Sequence, residues 1–513
     1  AGSPDKILMR YRYQFRNLLQ YGFTAEKDAG EYFRFGNGNF GMDFYSFHLF
    51  MRQTVGIEAV ALGDFTIQMG QGLIQFQGMA FKKGAEVVQV KRQSPVLKPY
   101  TASGEYNFHR GVAVSLKKGS WTSTVFASYR RLSATLNEDA VSGRTISSVN
   151  TYGLHRTELE ISRKGNLEQW CGGGAAKFHF GAGDIGVNAV AWSFGYPWLK
   201  DKFPYQLYAV RGDKWINASV DFSCTYRQVH VFGEFALDPQ TDYAVVAGIM
   251  MAPDRKMSVG MLYRNISSGF QSLMSNAFTE NSTPSNEQGF YTGLSLKPDL
   301  KWQIDGYADW FKFPWLKFRV NSPAAGSDYF VNITHKPTRK VEIVLRYRYE
   351  AKPLNPSGTK EVVVVPESVI SESVRLHIGY QPGKIWELRW RWEQKRLSAG
   401  NRYSDGFLWY QDIRFKSPAF RWNLDIRVLY AETDSWDSRL YAYENDVLNA
   451  GSISAFSGKG WRLYLNWGYK FSRRFRFWWK VGYSGIGKSD AIETEAPGES
   501  KKLDAKIQLQ VLW

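Results

Sequence analysis

The stretch GWRLYLNWGYKFSRRFRFWWKVGYSG, residues 460–485, limits what this chain can fold into more than any other feature. Trp461, Leu463, Leu465, Trp467, Tyr469 and Phe471 occupy every second position, and Arg462, Tyr464, Asn466, Gly468 and Lys470 the positions between. Successive side chains of a strand point to opposite faces, so this period puts an oily face against a wet one. The pattern resumes after a turn at Ser472-Arg473, with Phe475, Phe477, Trp479, Val481 and Tyr483 opposite Arg474, Arg476, Trp478, Lys480 and Gly482. Two such runs make an antiparallel hairpin. The core of a soluble sandwich rarely spends so many large aromatics on consecutive inward positions of two long strands.

The same alternation recurs from end to end. It sets Ile7, Met9, Tyr11, Tyr13 and Phe15 against Arg10, Arg12, Gln14 and Arg16; it recurs in VEIVLRYRYE (341–350), SVRLHIGY (373–380), KIWELRWRWEQK (384–395) and FRWNLDIRVLY (420–430). No apolar run reaches the roughly 18 residues that a membrane helix needs. The longest, Tyr243 to Ala252, has about half of that. A hydropathy scan would read such a chain as soluble, the error expected for a transmembrane barrel whose strands show lipid only every second side chain.

Connections sort into two kinds. Short ones include Lys117-Lys118-Gly119, Ala252-Pro253-Asp254-Arg255, Lys297-Pro298-Asp299, Lys336-Pro337-Thr338-Arg339 and Gln381-Pro382-Gly383-Lys384; long polar ones include 276–288, 351–368 and 444–459. Tight periplasmic turns alternating with longer outside loops characterise outer-membrane barrels. At about 21 residues per strand with its share of loop, the expectation is one domain over 1–513: an all-β, large transmembrane antiparallel barrel of 22–26 strands. An even number with both termini periplasmic is expected. The last strand alternates Ile507, Leu509, Val511 and Trp513 and ends on an aromatic, as strands read by the barrel assembly machinery do.

Charge then addresses the interior. There are 65 basic and 48 acidic residues, a formal net charge of +17, which attracts polyanions such as nucleic acid, lipopolysaccharide phosphates or acidic substrates. Register puts Arg10, Arg12, Arg346, Arg348, Arg375, Arg389, Arg391, Arg421, Arg427, Arg462, Arg474, Arg476 and Lys480 on the wet face, with Arg16 in the same set. Cationic rings favour anions in a pore; equally, Glu342, Glu350, Glu387, Glu393 and Asp425 stand ready to brace those cations into a stiff wall. Cys171 and Cys224 read as two inert thiols rather than a disulfide. The seven histidines show neither a triad nor a metal spacing, so neither an enzyme nor a cofactor is expected. Glu105 and His109 in GEYNFHRG are four apart and read as loop-anchoring hydrogen-bond partners before an acid–base pair.

Residues 57–113 break the rhythm at Gly63, Gly70, Gly72 and Gly78, which implies tight bends or close backbone approach. The sequence GQGL suggests a phosphate cradle only weakly, because no Lys-Ser/Thr or helix start follows it. A segment folded inward to constrict the barrel fits better. Here the chain resembles a family: GDFTIQMGQGL, FKKG and GEYNFHRG, with the opening RYRYQFRNLLQYGFTAEKDAGE, are similar to the large Bacteroidota outer-membrane proteins of the helix-hairpin-helix (ComEA-like) type. The resemblance covers most of the first 115 residues. Its motif positions are Gly63, Asp64, Gly70, Gln71, Gly72, Leu73, Lys82, Glu105 and Arg110. It implies a barrel preceded by a periplasmic helix-hairpin-helix region that binds DNA backbone; that region would lie upstream of residue 1, and no residue here carries DNA binding.

Two functions follow as expectations. One is an outer-membrane translocation channel with a cationic lumen, for DNA or another polyanion. The other is an occluded barrel serving as a scaffold or accessory subunit of a transport or assembly complex, with lipoproteins or other outer-membrane proteins as partners. In both, the surroundings are outer-membrane lipid and lipopolysaccharide.

Overall fold

The computed structural model describes all residues except 1, 34–40, 55, 140–142, 201–202, 357–363, 417–418, 449, 488–499 and 513. Trp513, the terminal aromatic, therefore lies outside the described residues. The described chain is nearly all strand: 26 strands form one sheet, and Leu440–Glu444 and Ser452–Phe456 form a separate hairpin. Three members of the sheet, Leu97–Pro99, Ala134–Asp139 and Gly143–Val149, are short appendages. The other twenty-three pair each with the next, always antiparallel, from Ile7–Phe15 to Ser500–Val511.

The outer face is the oily one. Ile185, Val187, Ile216, Val220, Trp310, Leu345, Val428, Trp461, Leu463, Trp479, Ile507 and Leu509 are exposed, while Asn188, Asn217, Asp309, Asp328, Asp412, Asn466 and Lys480 on the alternate positions are buried. Strand Lys459–Lys470 pairs with Phe475–Gly487 in the register that the alternation requires, Trp467 opposite Trp479 and Asn466 opposite Lys480. A large antiparallel sheet with apolar outside and polar inside is the architecture of a transmembrane barrel. No helix among the described residues is long and apolar enough to cross a membrane. Both cysteines are free; Cys171 is buried.

The connections divide as the turn chemistry suggests. At one end they are tight (119–120, 181–182, 227–228, 255–256, 339–340), and at the other long (68–108, 133–166, 267–286, 434–458). Because twenty-three is odd, Ile7 starts at the long-connection end and Val511 finishes at the short-turn end. This departs from the expected even count with both termini on one side: the first and last strands run in the same direction, and no ladder joins them among the described residues.

Segment 57–113 is not one inward unit. Ile57–Ile67 and His109–Lys118 are wall strands paired with each other, and only 68–108 turns inward. Gly63 and Gly111 are needed not for a bend but for close strand approach: a Cβ on Gly63 (φ 86°) would sit 2.3 Å from Phe47 O, and one on Gly111 2.2 Å from Ala127 O.

Candidate luminal inserts and the charged wall

Two inserts fill the inner side of the wall. The first, 68–108, bonds to strands far apart in the sheet: Lys91 Nζ reaches Ser223 Oγ (2.7 Å), Tyr291 OH donates to Val87 O (2.8 Å), and Lys83 Nζ reaches Asp309 (3.0 Å) and Asp328 (2.8 Å). One short segment can touch all of these only if the sheet curls around it. Its side chains Met69, Leu73, Ile74, Val87 and Val90 join Phe126, Trp192, Trp215, Phe232, Leu262, Phe270 and Tyr291 of the wall and its loops in one apolar core. This half of the lumen is dry.

The glycine motif has a different occupant from the one its composition suggests. Gly70 (φ 50°) and Gly72 (φ 85°) bend the chain so that the N–H groups of Gln71 (2.6 Å) and Leu73 (3.1 Å) both donate to Glu234 Oε2. Consecutive amides in such a turn form an anion nest, and here a buried wall carboxylate fills it. A Cβ on Gly70 would lie 2.5 Å from Glu234 Cδ. Gln71 adds a side-chain bond from Arg92 N (2.9 Å), and Arg92 donates onward to Asn276 O and Phe81 O. Burial pushes the Arg92 guanidinium down to about 10.

The two lysines of FKKG divide their work. Lys82 Nζ donates to Thr279 Oγ1 (3.1 Å) and to carbonyls of the 267–286 loop, and burial pushes its ammonium down to about 8. Lys83 is also buried, which works against its charge, but Glu280 (2.5 Å), Asp309 and Asp328 surround it and hold its pKa well above the ordinary value. Glu280 resists its own burial through Lys83 and Lys352 and drops to about 2. Nearby, Arg264 is fully buried between Glu287 (2.5 Å) and Asp309 (2.8 Å). The remaining motif positions are structural staples. Arg110 clasps Asp64 with two bonds (2.7 and 2.8 Å). Burial and the carboxylates of Asp43 and Glu31 push Glu105 up to about 8. His109 is not bonded to Glu105; it is fully buried, 3.0 Å from Gln75 Nε2, among Phe65, Phe126 and Trp192.

The second insert, the 440–456 hairpin, lies on the later strands over a smaller apolar core of Leu408, Tyr410, Leu429, Ala431, Leu440, Ala442 and Phe456. It carries carboxylates to a cationic wall. Glu444 meets Arg462 (2.5 Å) and Lys480 (3.1 Å); Asp446 meets Lys480 (3.2 Å) and Lys506 (2.6 Å). Lys480 and Glu444 are each 1% exposed.

Most of the wet-face cations stand in this network rather than around open water. Arg348 pairs with Asp328 (2.7 Å) and Glu350 (2.9 Å), Arg375 with Glu393 (2.8 Å), Arg389 with Glu387 (2.5 Å), and Arg462 also with Asp504 (2.9 Å). Arg391 pairs with Glu393 and donates to Tyr441 O of the hairpin. Arg427 grips Asp412 (2.5 and 2.6 Å), donates to Tyr443 O and stacks 3.8 Å over Tyr410. Arg346 bonds to Asn332 (3.2 Å) and faces Phe330; Arg12 bonds to Gln14 and Gln20. Arg10, Arg421 and Arg474 are exposed, and Arg476 is half-buried. The reading from cations alone missed their counterparts Glu234, Asp309, Asp328, Asp412, Glu444 and Asp446. The signal was available in WQIDGYADWF (302–311) and GSDYF (326–330), where Asp alternates with aromatics.

No metal site is evident in the sequence spacing, yet Glu31, Asp43 and His155 bring ligand atoms within 4.8 Å of one another. Their atoms already serve the protein: His155 Nδ1 lies 2.6 Å from Asp43, its Nε2 2.9 Å from Ser133 Oγ, and Lys164 pairs with Asp43. They tie the 28–43 and 133–166 connections together.

No family model matches the chain, and no curated protein matches it. Among solved structures it is similar to the siderophore receptor PirA of Acinetobacter baumannii (8% identity, 99% of this chain and 80% of that one, TM-score 0.45). It is also similar to the ferric yersiniabactin uptake receptor FyuA of Yersinia pestis (9%, 98% and 70%, 0.37) and to OmpT of Vibrio cholerae (11%, 66% and 100%, 0.32). The fold reading rests on this chain's own strand pairing and surface. One five-residue helix, Glu158–Ser162, is its only α-helix among the described residues, so the helix-hairpin-helix motifs that the sequence resemblance implies are not among them.

Proposed function

We propose that the protein is an outer-membrane translocation channel held shut by its two luminal inserts. The observation that carries this reading is the pair of buried ionic latches: Lys83 of the first insert among wall carboxylates, and Glu444 and Asp446 of the second among wall cations. A buried pair contributes little net stability compared with apolar packing, but breaking one partner away costs about 3–5 kcal/mol. Such contacts define one seated position sharply and become costly once half-separated, which suits a gate. The cargo class is a polyanion, supported by the net charge of +17 and by wet-face cations outside the ion pairs, Arg10, Arg12, Arg346 and Arg476. The resemblance to helix-hairpin-helix barrels makes DNA the first cargo to try.

The test is conductance in planar bilayers. The native protein is expected to be silent or nearly so, and a Glu444→Gln/Asp446→Asn variant to open, with anion preference and steep salt dependence of DNA binding. If the unlatched variant stays silent, the channel reading fails. The second reading, an occluded barrel acting as a scaffold, is favoured by the apolar core that cements the first insert, and it would gain from that silence.

A further inference from the structure

The wall has two edges, and their geometry is specific. Strand Ile7–Phe15 and strand Ser500–Val511 both run from the long-connection end to the short-turn end, and among the described residues neither has a partner on its outer edge. In hydrocarbon a row of unpaired backbone N–H and C=O groups costs several kcal/mol per group, and transmembrane sheets exist because closure removes such rows. Two parallel edges cannot be joined by a further hairpin strand in any direction but one: a strand running from the short-turn end upward is antiparallel to both.

Side chains at the gap agree. Arg10, Arg12 and Gln14 line the inner side of one edge, and Lys506, Gln508 and Gln510 that of the other. Gln510 Oε1 and Arg476 Nε, on residues opposite each other in register, are buried without a hydrogen-bond partner. The outer side carries Met9, Ile507, Leu509 and Val511, all exposed. The missing strand is thus specified: apolar on alternate outward positions, polar and on balance acidic inward. Its connection is specified too. Residues 2–6 are held at the long-connection end, where Gly2 N donates to Gly30 O (2.9 Å), Gly30 N donates to Ser3 O (2.9 Å), and Lys27 Nζ donates to Asp5 O (2.7 Å). A strand rising on the outer edge of Ile7–Phe15 arrives at that place and enters residue 2 through a hairpin, the short link that antiparallel neighbours allow.

We infer that polypeptide leading into residue 1 supplies a twenty-fourth wall strand, which seals the barrel between Ile7–Phe15 and Ser500–Val511 and brings the wall to an even number with both ends on the short-turn side. This inference requires the lipid-facing reading of the outer surface but not the gate, since a sealed wall serves a channel and a scaffold alike.

The test is cross-linking in native outer membranes. In a background of Cys171→Ser and Cys224→Ser, a photoactivatable thiol reagent is placed at Gln508→Cys in one variant and at Arg12→Cys in another, and the captured peptides are sequenced. Both variants are expected to capture the same alternating segment, preceding residue 1. Direct capture between the two edges would show that the wall closes on itself in parallel and overturn the inference. Capture of a separate protein, or of nothing from either edge, would overturn it as well. Channel activity is read separately by conductance, so either claim can fail alone.

Discussion

The two halves of the lumen solve the same problem with opposite chemistry. Between Trp121 and Phe313 the inner face carries Trp192, Trp215, Phe232 and Leu262, and the insert that covers it is mainly apolar, with one buried cation, Lys83, set among carboxylates. From Trp386 onward the inner face carries Arg391, Arg427, Arg462 and Lys480, and the hairpin that covers it brings acid. Burial of apolar area is non-directional and tolerates sliding, whereas ion pairs in a dry setting hold one geometry or lose most of their attraction. The first insert therefore resembles a cemented plug and the second a catch. If one of them moves during transport, it is the hairpin.

The sharpest way to break this contrast is Glu444→Ala. It leaves Arg462 and Lys480 buried with fewer counter-charges and should destabilise the seated hairpin by about 3–5 kcal/mol, read as channel opening in bilayers and as faster proteolysis within 434–458. Lys83→Met should cost the first insert less, about 1–3 kcal/mol, because Arg264, Arg348 and Lys352 remain near Glu280, Asp309 and Asp328; conductance should stay near native. Equal opening by both variants would erase the distinction. Gly70→Ala tests the plug's seating from the backbone side. The strain of φ 50° for a residue with a side chain is about 1–2 kcal/mol, and the clash with Glu234 adds to it; the expected result is a lower thermal midpoint without opening.

Titration separates the halves further. Glu105 holds its proton up to about 8 when folded and to the ordinary carboxyl range when unfolded, so the folded state binds more protons between those values. Stability of the first insert should thus fall as pH rises from about 5 to 8, the reverse of a salt-bridged acid. Glu280, lowered to about 2, acts in the usual sense: its contribution is present above the ordinary carboxyl value and is lost as pH falls towards 2. Melting followed from pH 3 to 9, with Glu105→Gln flattening the upper limb only, checks both signs. The smallest effect is expected from Arg474→Ala in an exposed turn, under about 0.5 kcal/mol, with conductance unchanged; a large effect there would mean that cations outside the network matter more than those within it.

Period-2 alternation made the wall legible, because lipid and interior impose opposite demands on adjacent positions. It worked best from Val341 to Val511, where the inner face is charged. It was weaker where both faces are apolar: in GVNAVAWSFGY (186–196), Val187, Ala189 and Ala191 face out while Val190, Trp192 and Phe194 enter the core. Strands buried on both sides read as continuous apolar runs, so Tyr243–Ala252 and its neighbours already marked the filled half. The inward segment was detected from its glycines but placed too widely, since Gly63 and Gly111 serve strand contact and not turning. Individual ion pairs were beyond reach because they join residues far apart in sequence, such as Lys83 with Asp309 or Arg391 with the hairpin. The parity of the wall needed a strand count accurate to one.

The nest at residues 70–73 comes with its own tenant. A loop whose amides converge on Glu234 cannot greet a passing phosphate while that carboxylate is at home, so any cargo hoping to dock there must first evict a piece of the wall. Recognition at this spot and dislodging of the plug would then be a single event, and a ligand could serve as its own key.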